Sequence, residues 1–157
     1  MAERIAIASD HAAIELKAAL VEHLSAAGYE VNDLGPATTD SVDYPAYGYK
    51  LAEAIASGTA DKGVALCGSG IGISIAVNRN PACRCARVSE PLSAALARQH
   101  NDANVLAMGA RLVGPEMAKA CIDAFLGTGF LGAKEAEGRH QRRVDQLSNP
   151  SSTKEPA

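Results

Sequence analysis

The run Gly63-Val64-Ala65-Leu66-Cys67-Gly68-Ser69-Gly70-Ile71-Gly72-Ile73-Ser74 governs how the rest of the chain reads. Val64 to Cys67 is a short apolar run of the kind that forms a buried parallel strand. Ile71, Ile75, Ala76 and Val77 begin an apolar helical pattern. Gly68, Gly70 and Gly72, at every second position, therefore fall in a strand-to-helix turn. Such a turn aims backbone N–H groups at one point, and the helix start adds partial positive charge, so its natural guest is an oxyanion or a phosphate. Other glycine loops fit poorly. A nucleotide P-loop requires a Gly-Lys-Ser/Thr sequence, and the dinucleotide fingerprint places its third glycine three residues after the second. A phosphatase-type loop carries an arginine six positions after the cysteine, where this chain has Ile73.

Working outward, Arg4 to Ser9 reads as a first strand, followed by a helix opening at Asp10-His11 and ending at Gly28. Tyr29 to Leu34 is a second strand, and Gly35 to Asp43 a polar loop long enough to border a site. Pro45 suits the first turn of a helix running to Ser57. After the central strand and its helix, Cys83 to Ser89 reads as strand four, Pro91 to Gln99 as a helix, and Asn104 to Met108 as strand five. Helices over Pro115–Phe125 and Lys134–Leu147 complete the pattern. Strands alternating with helices imply parallel pairing with helical crossovers. The expectation is a single-domain, doubly wound, Rossmann-like α/β fold over residues 1–148, with five parallel strands in the order 2-1-3-4-5, helices on both faces and an extra C-terminal helix. Residues 149–157 are expected to be a disordered tail. In that order the chain reverses direction between strands one and three, and a ligand crevice opens at their carboxyl ends. Asp10-His11 and Cys67-Gly68-Ser69 end those two strands, so the topology gathers an acid, an imidazole, a thiol and an amide nest.

Composition narrows the function classes. The 157 residues are 47% hydrophobic and carry a net charge of −3, a balance that gives one domain a real core and no general attraction to nucleic acid or a membrane surface. No basic-then-apolar leader and no run near the ~20 apolar residues of a membrane span is present, which predicts a cytoplasmic protein. Cys67, Cys83, Cys85 and Cys121 lie in or near apolar segments without C-x-x-C spacing, so buried thiols, no disulfide and no structural metal are expected.

Each chemistry-bearing residue also has a plainer reading. Cys67 is either a small apolar residue closing a strand or, beside a helix N-terminus, a usable base or nucleophile; its neighbours favour the second. Asp10 suits a helix cap, and His11 beside it suits anion binding. His100 and Asn101 fall between a helix and strand five, where they complement a helix end or turn the chain. Arg139 and Arg143, at i and i+4, share one helix face, which by spacing alone reads slightly better as a solvated basic face than as a phosphate clamp.

Taken together, Ser-Asp-His-Ala (9–12), Asp-Tyr-Pro (43–45), Cys-Gly-Ser-Gly-Ile-Gly-Ile-Ser (67–74), Ser-Glu-Pro (89–91), Arg-Gln-His-Asn-Asp-Ala-Asn-Val-Leu (98–106) and Gly-Arg-His-Gln-Arg-Arg-Val (138–144) resemble the type B ribose-5-phosphate isomerases. That family includes galactose-6-phosphate isomerase subunits and related sugar-phosphate isomerases. The resemblance implies a cofactor-free homodimer or dimer of dimers with shared active sites, interconverting ribose 5-phosphate and ribulose 5-phosphate through an enediolate. By matching motif, Cys67 is the proton-transfer base and Ser69 assists at the oxygens, while amides from Gly68, Gly70, Ile71, Gly72, Ile73 and Ser74 hold the enediolate. His100 and Asp10 serve ring opening, Tyr44 and Asn101 contact the sugar, and His11, Arg139 and Arg143 grip the phosphate with Arg111 as a further candidate. One branch of the family has a glutamate base where this chain has Ile73, so the resemblance points to the cysteine-base branch. Other sugar phosphates, such as allose 6-phosphate, galactose 6-phosphate or erythrulose 4-phosphate, would use the same machinery. A non-catalytic phosphate-binding module of flavodoxin-like architecture is the alternative from another class.

Overall fold

The computed structural model describes residues 1–132, 134 and 137–153. Five strands, β1 (Arg4–Ser9), β2 (Glu30–Asp33), β3 (Lys62–Cys67), β4 (Cys85–Arg87) and β5 (Val105–Gly109), form one parallel sheet. Around it lie α1 (Ile14–Ala26), α2 (Tyr44–Ala56), α3 (Ile71–Val77), α4 (Pro91–Asn101), α5 (Pro115–Leu126) and α6 (Arg139–Ser148). The expected doubly wound α/β class is therefore the observed one.

One detail of the topology differs from expectation. The sheet order is β2-β1-β3-β5-β4, so the last two strands exchange places relative to 2-1-3-4-5. Burial explains the exchange. All five residues of β5 are buried and none has a polar side chain, whereas β4 is three residues long, partly exposed, and ends in Arg87. A strand apolar on both faces belongs inside a parallel sheet, and a short strand bearing charge belongs at its edge. The reversal between β1 and β3 survives this exchange, so the crevice at their carboxyl ends is retained.

Element boundaries also move, β4 shortening from Cys83–Ser89 to Cys85–Arg87 and three helix ends shifting. The Asp10 carboxylate accepts the Ala12 amide at 2.9 Å, making a 3-10 turn over His11–Ala13 before α1 begins. The fourth helix runs through His100 and Asn101, stopping where Asp102 turns left-handed at φ 45° with its carboxylate held by Arg84 and Arg98 (3.0 and 2.8 Å). The last helix starts at Arg139 rather than at Lys134, because Gly138 at φ 59° interrupts any helix passing through it. Residue 133 just before the expected helix, 135 and 136 within its expected start, and 154–157 of the expected tail lie outside the described residues. Pro150–Ser152 forms a single 3-10 turn.

The two faces of the sheet carry different side chains. Ile5, Ile7, Val64, Leu66, Leu106 and Met108 point toward α1, α4 and α5, where they meet Leu20, Ile122 and Phe125. Ala6, Ala8, Ala65, Cys67 and Ala107 point the other way, toward Leu51 of α2 and Ile73 of α3. Small residues on this second face bring its helices close to the sheet: a Cβ on Gly63 would lie 3.2 Å from the Leu51 side chain. Cys67 ends the small-residue face, and α3 begins directly beyond it.

Candidate active site

The sheet ladder delivers the key groups to one edge. Ser9 pairs with Leu66, and the Asp10 N–H continues the ladder to the Leu66 carbonyl at 3.1 Å, which sets Asp10 beside Cys67. On the other side of β3, the Ala110 and Arg111 N–H groups donate to the Cys67 and Gly68 carbonyls at 2.9 and 3.0 Å, so Arg111 follows the same loop. An open cleft of about 480 Å³ forms there, lined by Asp10, Tyr44, Cys67, Gly68, Ser69, Ile71, Gly72, Arg111 and Leu112. It lies in the crevice predicted from the strand reversal.

The glycines are required by close approach. Gly70 caps α3 at φ 75°, and a Cβ there would lie 2.6 Å from the Met108 carbonyl carbon. At Gly72 a Cβ would lie 2.5 Å from the Tyr44 ring, and at Gly68 it would lie 3.1 Å from an Arg111 guanidinium nitrogen. The loop is thus wedged between the β5 backbone, Tyr44 and Arg111. Cys67 is 4% exposed, and its sulfur accepts the Gly70 N–H at 3.1 Å. Ile71 N–H donates to the Ser69 hydroxyl oxygen at 3.2 Å. Ser74 closes the first turn with both of its donors, amide to Gly70 O (3.4 Å) and hydroxyl to Ile71 O (2.7 Å). Gly72 and Ile73 open the helix, so their amides have no intrahelical acceptor, and those of Gly68 and Ser69 find no backbone acceptor among the described residues. Unsatisfied amides at a helix start suit a guest anion; the Ile73 side chain itself is fully buried in the core.

The thiols are not equivalent. Burial pushes Cys83 up to about 11 and Cys85 up to about 12, and Cys121 is raised for the same reason. Cys67 alone lines the cleft. Among the described residues no group of three or more His, Cys, Asp or Glu side chains is placed to hold a metal ion, and no helix is long and apolar enough to cross a membrane.

The remaining candidates do not all gather at this cleft. His11 is half-buried, and its Nδ1 accepts the Val42 N–H at 3.1 Å, which leaves Nε2 to carry the proton and ties the 35–43 loop to the edge of the site. That loop is held further by buried Lys17, which donates to Asp33 and to the Pro36 carbonyl at 2.7 Å each. His100 and Asn101 end α4, which runs away from the carboxyl edge, so they lie at the opposite end of the sheet from Cys67. His100 stacks on His140 of α6 with ring centroids 4.6 Å apart, an arrangement that brings Arg139 of that helix near it. Asn101 borders a separate cavity of about 390 Å³ together with Arg84 and Leu147. Arg139 and Arg143 are exposed on α6. The candidates therefore fall into two sets: Asp10, His11, Tyr44, Cys67 to Ser74 and Arg111 at one edge, and His100, Asn101, Arg139 and Arg143 at the other.

Two residues at the cleft had no role in the sequence reading. Leu112 contributes an exposed apolar wall. Arg87 donates from Nε to the Ser69 carbonyl at 3.1 Å. Neither belongs to a motif, and Arg87 reaches the loop across β5.

Comparison with known proteins adds independent findings. A family described as Ribose/Galactose Isomerase matches residues 5–147. Ribose-5-phosphate isomerase B of Escherichia coli is 46% identical over 146 residues, covering 93% of this chain and 95% of that protein. A D-erythrulose-4-phosphate isomerase of Pectobacterium atrosepticum is 41% identical over 133 residues, 84% of this chain and 88% of that one. Among solved structures, Clostridium thermocellum ribose-5-phosphate isomerase B superposes with a TM-score of 0.89 at 42% identity, covering 94% and 97% of the two chains.

Proposed function

Because this chain belongs to the ribose/galactose isomerase family, we propose that it is an aldose–ketose isomerase that interconverts ribose 5-phosphate and ribulose 5-phosphate, with Cys67 as the base. The observation that carries this reading is the union of one cleft-lining thiol with an unpaired set of loop amides at the carboxyl edge of β3. Aldose-to-ketose conversion needs a base to move a proton from C2 to C1 and donors to hold the oxygen that becomes negative between the two steps. The Cys67 sulfur takes the C2 proton of the open-chain sugar and returns it to C1. Amides of Gly68, Ser69, Gly72 and Ile73 hold the enediolate oxygens, an arrangement worth about 3–4 kcal/mol per preorganised donor. The Ser69 hydroxyl, next to the sulfur in sequence and turned into the loop, shifts the hydroxyl proton between O1 and O2. Asp10 serves ring opening, Tyr44 borders the sugar, and Arg111 and the Nε2–H of His11 face its phosphate end.

A second copy of the chain completes the site in this reading. One chain supplies the base and the anion nest, while His100, Asn101, Arg139 and Arg143 of the other supply the remaining ring-opening, sugar and phosphate contacts. What supports this is the separation of the two sets within one chain, together with exposed apolar side chains: Ile71 and Leu112 of the cleft wall, and Ile75 and Leu92, are 52–67% exposed. Apolar side chains at that exposure are suited to burial against another surface. The named relative acting on a four-carbon sugar phosphate favours a second reading of the substrate, with the same base and nest and a shorter chain in the cleft.

The test is turnover by the purified protein on ribose 5-phosphate, erythrulose 4-phosphate and the six-carbon phosphates, without added metal, for wild type and Cys67→Ala. Cys67→Ala is expected to abolish isomerisation while leaving the circular dichroism spectrum and sugar-phosphate binding in place. Wild-type turnover in the variant would eliminate Cys67 as the base. Wild-type binding without turnover on any of these sugars would favour a phosphate-binding module.

A further inference from the structure

The Ser69–Gly70 peptide unit is engaged from both sides. Its N–H donates to the Cys67 sulfur at 3.1 Å, and its carbonyl accepts from Arg87 Nε at 3.1 Å. Arg87 reaches it across β5. Its partner on β5 is Ala107, and Cys67 pairs with Gly109 of the same strand, so Arg87, Ala107, Gly109 and Cys67 lie on one face of the sheet. Ala107 and Gly109 leave the path from β4 to the loop clear. A Cβ on Gly109 would lie 2.5 Å from the Ser69 carbonyl carbon and 2.6 Å from its oxygen, so a larger residue there would displace the acceptor that Arg87 holds.

We propose that Arg87 is a positioning residue for Cys67: its guanidinium orients and polarises the one peptide unit whose N–H is aimed at the sulfur. The physical basis is hydrogen-bond cooperativity. A cation drawing on a peptide carbonyl makes the N–H of the same unit a stronger donor, and a chain of such bonds strengthens each member. The N–H then holds negative charge on sulfur better, which the sulfur needs whether it acts as a base or as a nucleophile. Asp10 from the end of β1, Tyr44 from α2 and Arg111 beyond β5 also face the cleft, but Arg87 is the cation that reaches the sulfur through this peptide. The plainer role for an arginine on an edge strand is to block pairing with another sheet. That role would leave the sulfur untouched.

This inference rests on the reading of Cys67 as the working thiol, and the experiment separates the two. The rate of carbamidomethylation at Cys67 by iodoacetamide, followed by peptide mass mapping near neutral pH, reads the sulfur directly and needs no substrate. Arg87→Leu is expected to slow it about fivefold, and to lower kcat on ribose 5-phosphate about tenfold with KM changed less than about twofold. Arg87→Lys, which keeps charge and a donor, is expected to recover most of both. Arg79→Leu, which removes an exposed cation elsewhere, is expected to change neither. If Arg87 were only a mechanical latch, its loss would open the loop and speed alkylation. Equal or faster alkylation in Arg87→Leu therefore overturns the proposal, as does an unaltered kcat in a variant whose wild-type parent turns over. Slowed alkylation with no wild-type turnover on any sugar phosphate would retire the isomerase reading and leave the role of Arg87 standing.

Discussion

Substituting Gly70 by alanine tests the loop geometry most directly. The new Cβ would meet the Met108 carbonyl carbon at 2.6 Å, its oxygen at 2.9 Å and the Gly109 nitrogen at 3.0 Å. All three are backbone atoms of the buried strand β5, so the neighbour cannot rotate away. Holding alanine at φ 75° costs about 1–2 kcal/mol, and relieving the overlap by shifting the loop costs about 1–3 kcal/mol more. A total near 3 kcal/mol in a chain of 157 residues corresponds to a fall in Tm of about 6–12 °C. The shift also draws the Gly70 N–H off the Cys67 sulfur and misaligns the amides that follow. Losing one such donor lowers kcat by about a hundredfold or more. Differential scanning calorimetry and steady-state turnover read the two effects, with Gly129→Ala as the control because nothing lies within 4 Å of a Cβ there. A Gly70→Ala protein with wild-type Tm and wild-type kcat would refute the account of the loop, since both effects follow from the backbone geometry at that one position.

Two further outcomes follow from charge and burial. Hydrogen bonding and ion pairing with Arg4 hold the Asp61 carboxyl down to about 2, below the ordinary carboxylate range. The unfolded chain binds its proton first as pH falls, so the pair stabilises the fold above about pH 4 and that contribution vanishes toward pH 2. Thermal melts of wild type and Asp61→Asn should differ slightly at pH 7, less in high salt because the pair is exposed, and converge near pH 2; a gap that widens on acidification would contradict the pairing. Among the thiols, Cys67 should be alkylated before Cys83 and Cys85 in the native protein near neutral pH, because burial keeps the latter two protonated well above that range. Labelling of Cys83 or Cys85 ahead of Cys67 would reverse the assignment.

What was legible in the chain follows from the range of the forces involved. Apolar runs, glycine stops and proline starts act within a few residues, so the alternation of strands and helices and the strand-to-helix turn after Cys67 were readable directly. The glycine spacing of that turn was readable for the same reason, and so was the neighbour relation of Asp10 and Cys67, because a strand reversal between β1 and β3 needs nothing more than their position in the alternation. The end of α4 was misplaced by two residues because the left-handed Asp102 is held by Arg84 and Arg98, and Arg84 stands 18 positions away.

Tertiary structure alone decided the rest. The exchange of β4 and β5 depends on which strand buries both faces, a competition between segments that local pattern does not resolve, although the unbroken Val-Leu-Ala-Met-Gly of β5 beside the charged Cys-Ala-Arg of β4 carried the signal. The bond from Arg87 to the Ser69 carbonyl, which crosses β5, is likewise set by how the strands pack. The same holds for the distance between the two sets of motif residues: His100 and Arg139 are sequence neighbours of well-placed elements, yet the direction of α4 carries them to the far end of the sheet from Cys67. Sequence determined which chemistry this chain holds, since residue type and short-range spacing set donors, acceptors and turns. Only the packing of whole elements determined which of those groups share a cleft, because that depends on where buried area is greatest across the entire chain.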